Sequence, residues 1–142
     1  MFFRLKEKAH GILEAQKQMR LGLEKNPDIQ VCSNMTSPII SWTSSTVNPI
    51  AMGEQMLKRR QWTISALQNP PGAHLAITDA TSGNWKDFIS SVNECVKVMK
   101  SDKELNKNHD TAVYGMTGAI PDKSLLHRFV SIHQAAMLDT LE

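Results

Sequence analysis

The five histidines, at positions 10, 74, 109, 127 and 133, are the side chains whose type could move protons near neutral pH. No two of them stand at metal-ligand spacing backed by a second cluster, and Cys32 and Cys95 have no nearby partner, so the pattern argues against a metal centre. His127 and His133 are six apart on a predicted helix, and since facing neighbours lie three or four apart they fall on different faces. His74 differs because it follows a Pro70-Pro71-Gly72 turn inside a predicted strand, a position that suits a satisfied structural donor more than a catalytic base. Glu14, Glu24, Glu54, Asp79 and Asp122 supply carboxylates but no acid/base pair, and neither a phosphate-cradling glycine loop nor a nucleophile elbow is present. Lys58-Arg59-Arg60 could hold a phosphate, but cations ending a helix also complement its dipole in solvent. Gly115 and Gly118 read as a tight packing turn. No catalytic residue, cofactor-binding residue or metal ligand is assigned from these residues.

What positions His74 is the stretch from Trp62 to Thr78. Trp62, Ile64 and Ala66 before the turn, and Ala73, Leu75 and Ile77 after it, recur with a period of two, so two strands flank Pro-Pro-Gly. Two prolines remove two backbone donors, which predicts that the ladder breaks there and that the strand pair is central in its sheet. Around it, apolar positions Leu5, Ala9, Ile12, Met19 and Leu23 predict an amphipathic helix from Phe3 to about Lys25, stopped by Asn26-Pro27. Residues 29–33 and 39–44 read as a hairpin. Asn48 and Pro49 cap and start a helix running to Arg60. Asp79 to Asn84 reads as a loop, with Ser82 or Asn84 capping a helix from Trp85 to Lys100 whose stripe is Trp85, Phe88, Ile89, Val92, Val96 and Met99. Ser101 to Asp110 reads as a mobile surface loop, and Pro121 or Asp122 starts a last helix. Sequential strands with short turns and helices on one side give an α+β fold: a small antiparallel sheet covered on one face by helices, a two-layer sandwich.

Composition limits the partners. The 142 residues, 41% apolar, suffice for one core and are expected to form a single domain. A net charge of +2 is too small for a nucleic-acid surface, and no apolar run reaches the roughly 18 to 20 residues that span a bilayer. The charged opening Met-Phe-Phe-Arg-Leu-Lys is unlike a signal peptide, so a cytosolic or cytosol-facing chain is expected, with both cysteines reduced and buried and the sequon Asn34-Met-Thr36 idle.

Several of these blocks, in order, resemble the C-terminal small domain of the sphingosine-1-phosphate lyases, fold-type-I pyridoxal-phosphate enzymes of the group II decarboxylase clan. They are the helix from Phe3 to Leu23 with Lys25 to Val31, Ile39-Ile-Ser-Trp42, Asn48 to Gln61, Trp62 with Leu67 to Pro71 and His74 to Thr78, and Ala112-Val-Tyr-Gly-Met116. The resemblance implies cleavage of phosphorylated long-chain bases to a long-chain aldehyde and phosphoethanolamine. It also implies a homodimer on the cytosolic face of the endoplasmic reticulum and pyridoxal phosphate held on a lysine of a large domain. No lysine here stands in a context like that one, so this chain alone is expected to bind no cofactor and to act as a fragment, or as one part of a split enzyme whose large domain is on another chain. His74 and Tyr114 are the substrate-channel candidates under this resemblance. A stand-alone interaction module, and a fragment of an amino-acid decarboxylase, are the alternatives.

Overall fold

The computed structural model describes residues 2–107, together with Ser124, Arg128, Ser131 and Ile132, which are helical. The chain divides into two compact units, Met1–His109 and Asp110–Glu142. Tyr114, Gly115, Gly118, His109, His127, His133 and most of the predicted last helix lie outside the described residues.

The first unit follows the expected order. Helix α1 (Phe2–Leu23) leads to strands β1 (Gln30–Val31) and β2 (Ile39–Thr43), and helix α2 (Pro49–Arg60) leads to β3 (Ser65–Gln68) and β4 (Pro71–Ala76). A short α3 (Asp79–Ser82), α4 (Trp85–Ser101) and a 3-10 turn, Lys103–Asn106, complete it. All strand pairs are antiparallel in the order β1-β2-β4-β3. The fold is the α+β sandwich the patterning predicts.

Local chemistry explains the elements. Asn48 caps α2 with its side-chain oxygen accepting from the backbone N–H of Ile50 and Ala51, at 3.0 and 3.4 Å, and Pro49 sits where a missing donor costs nothing. Gln61 ends α2 in the left-handed region (φ 59°), its N–H returning to Leu57 O. In the sheet, Ile40 lies opposite Leu75 and Trp42 opposite Ala73, and all four are buried against the helices. Met19 and Leu23 of α1, Met52 and Met56 of α2, and Phe88, Val92, Val96 and Met99 of α4 fill the other half of that core. Phe88 is its hub, with edge-to-face contacts to Trp42 (5.7 Å between centroids) and Trp62 (5.2 Å).

Several expectations are corrected. The ladder does not break at Pro-Pro-Gly: Asn69 and Pro70, joined by a cis bond, make the turn, while Pro71 and Gly72 pair with Gln68 and Leu67 inside β4. Pro71 is the first residue of its strand, where a missing donor does least harm. Of that pair only β4 is interior, next to β2; β3 is an edge strand. Trp62 precedes the strand and is held by its N–H to Met56 O and by its indole N–H to Asp87 at 2.8 Å. Leu5 and Ala9 are exposed, because the first half of α1 projects past the elements that bury Ala15, Met19 and Leu23. Asp79–Ser82 is a helical turn with a Thr78/Thr81 capping box, not a loop. Asn84 caps α4 without a side-chain bond. Residues 103–106 form a 3-10 turn rather than an irregular loop. Asn106 donates to Met99 O and accepts from Asn48 N–H, and Leu105 packs on the core.

Candidate functional site

Period-two alternation puts the side chains opposite to the core set on the sheet's second face. Ser41 and Ser65 lie directly across from His74, and Cys32, whose N–H bonds Ser41 O, extends the same row. Thr43, Gly72 and Leu67 form the next row, toward the turn. His74 thus stands mid-sheet on this second face, half-buried, and its Nδ1 is buried with no hydrogen-bond partner. A buried ring nitrogen without a partner costs free energy until something satisfies it. Beside this row, at the turn end, Cys32, Trp42, Thr43, Leu67, Pro70 and Pro71 are among the residues lining a cavity of about 170 Å3. Thr43 Oγ1 donates to Pro71 O at its rim, at 2.8 Å.

Other candidate groups are engaged elsewhere. Lys58 pairs with Glu54 and Arg60 with Glu94, while Arg59 donates to the neutral side chain of Gln55, so two of the three cations of the basic triplet are ion-paired within the helical layer. Glu94 also holds the Arg60 guanidinium firmly in its charged form. Lys100 bonds Asp28 and keeps its carboxyl below the usual aspartate range, across a cleft of about 290 Å3 that Asn26, Asn93 and Lys97 also line. Among the described residues no group of three His, Cys, Asp or Glu could hold a metal ion, and no helix is long and apolar enough to cross a membrane.

The two cysteines part company. Cys95 is buried in α4 as expected, and burial pushes its thiol up. Cys32 is exposed, contrary to the expectation, because it falls in register with the outward row of the sheet. A thiol reagent added to native protein should therefore modify one cysteine quickly and the second only after denaturant is added. Equal rates for both in the native state would contradict this assignment.

No family model matches the chain. A sphingosine-1-phosphate lyase of Dictyostelium discoideum is 22% identical over 126 residues, 88% of this chain and 23% of that protein. The Legionella pneumophila protein named a probable sphingosine-1-phosphate lyase is 30% identical over 115 residues, 75% of this chain and 19% of its own length. Among solved structures, the Burkholderia pseudomallei sphingosine-1-phosphate lyase superposes with a TM-score of 0.61 at 19% identity, covering 82% of this chain and 26% of that one. The chain is similar to about a fifth of a sphingosine-1-phosphate lyase. The match fits a C-terminal segment of these relatives. The fold recurs more distantly in the cystine C-S lyase C-DES, with a TM-score of 0.52 over 61% of this chain at 13% identity.

The pyridoxal phosphate implied by this likeness finds no fitting residues in the described part. A Schiff-base lysine needs a sheltered amine and a phosphate cup. Every described lysine is exposed, and none lines the cavity beside the His74 row.

Proposed function

We propose that this chain is the small-domain segment of a sphingosine-1-phosphate lyase-like enzyme, which cleaves phosphorylated long-chain bases with pyridoxal phosphate held elsewhere in the enzyme. The observation that carries this reading is the similarity to sphingosine-1-phosphate lyases running through 88% of the chain, with the matching fold in support. In this reading the large domain that holds the cofactor is the partner, and the enzyme is a homodimer on the cytosolic face of the endoplasmic reticulum. This chain supplies shape and a wall of the substrate channel, with His74 and Tyr114 as the residues that meet substrate.

The test is spectroscopic. These 142 residues, purified and mixed with pyridoxal phosphate, should show no Schiff-base band. A band that disappears when one lysine is replaced would place the cofactor's lysine in this chain and overturn the division of labour. Adding the cofactor-bearing part of a relative should restore cleavage of sphingosine-1-phosphate; failure with a correctly folded partner counts against the lyase reading.

A further inference from the structure

We draw no further inference here: the strongest candidate, the polar cleft of about 290 Å3 between the turn after α1 and the outer side of α4, lined by Asn26, Asp28, Asn93, Lys97 and Lys100, carries nothing, because its cations are exposed surface lysines, one of them already held by Asp28, and among the described residues no buried, unpartnered polar group lines it to show what would bind there.

Discussion

Phe88→Ala should cost about 3 to 5 kcal/mol of stability. The ring is fully buried and is the one aromatic among the described residues that contacts both Trp42 and Trp62, so its loss leaves a void bounded by the sheet on one side and by the end of α2 on the other. Trp42 cannot readily move into that void, because its indole N–H is held on Met52 Sδ at 3.4 Å. Trp62 is tied in the same way to Asp87. With typical domain stabilities of roughly 5 to 15 kcal/mol, such a loss removes a large part of the margin. Urea unfolding followed by far-ultraviolet circular dichroism should show a much lower midpoint with an unchanged slope. Phe88→Leu, which refills most of the volume, should cost clearly less. A change below about 1 kcal/mol for the alanine variant would mean that the cluster collapses freely and is no hub.

Gly22→Ala should destabilise even though alanine is the better helix former. A Cβ at position 22 would fall 2.2 Å from Ile89 Cδ1 and 2.7 Å from Cγ1, where α1 packs on α4. Relief requires a new Ile89 rotamer or a separation of the helices, and overpacking of this kind costs about 1 to 3 kcal/mol. The helix-propensity gain of about 0.8 to 1 kcal/mol offsets only part of it. In an Ile89→Ala background the obstacle is gone, so the same Gly22→Ala change should become stabilising. That reversal of sign, read from a double-mutant cycle in thermal or urea unfolding, is the decisive result. A gain in stability in the parent background would show that Ile89 yields at no cost.

Much of this architecture is legible in the chain because local rules fix it. Asn48-Pro49 dictates where α2 starts: its side-chain oxygen and the missing proline donor meet needs that every helix N-terminus has. The spacing of Phe88, Val92, Val96 and Met99 likewise names the buried stripe of α4, since a period near 3.6 has one structural meaning. At Pro70-Pro71-Gly72 local rules mislead. They count lost donors correctly but cannot say which backbone groups of Pro71 and Gly72 would have a neighbour, and β3 supplies one. Leu5 and Leu23 are the same residue type on the same stripe of α1. Only the extent of the elements beneath them leaves Leu5 61% exposed and Leu23 buried.

The candidate site divides along the same line. His74 stands out in the sequence by its place after the turn, and the likeness to sphingosine-1-phosphate lyases is carried by blocks readable in order along the chain. The sequence by itself determined the element order, the α+β class and that likeness, because each depends on neighbours a few residues apart or on ordered blocks. The tertiary structure alone decided that Cys32, Ser41, His74 and Ser65 share a row, that Cys32 is open while Cys95 is buried, and that one face of the sheet carries no charge. Those facts depend on strand order and register, and register is set by pairing between segments far apart in the chain, where a slip of one residue would send every side chain to the other face.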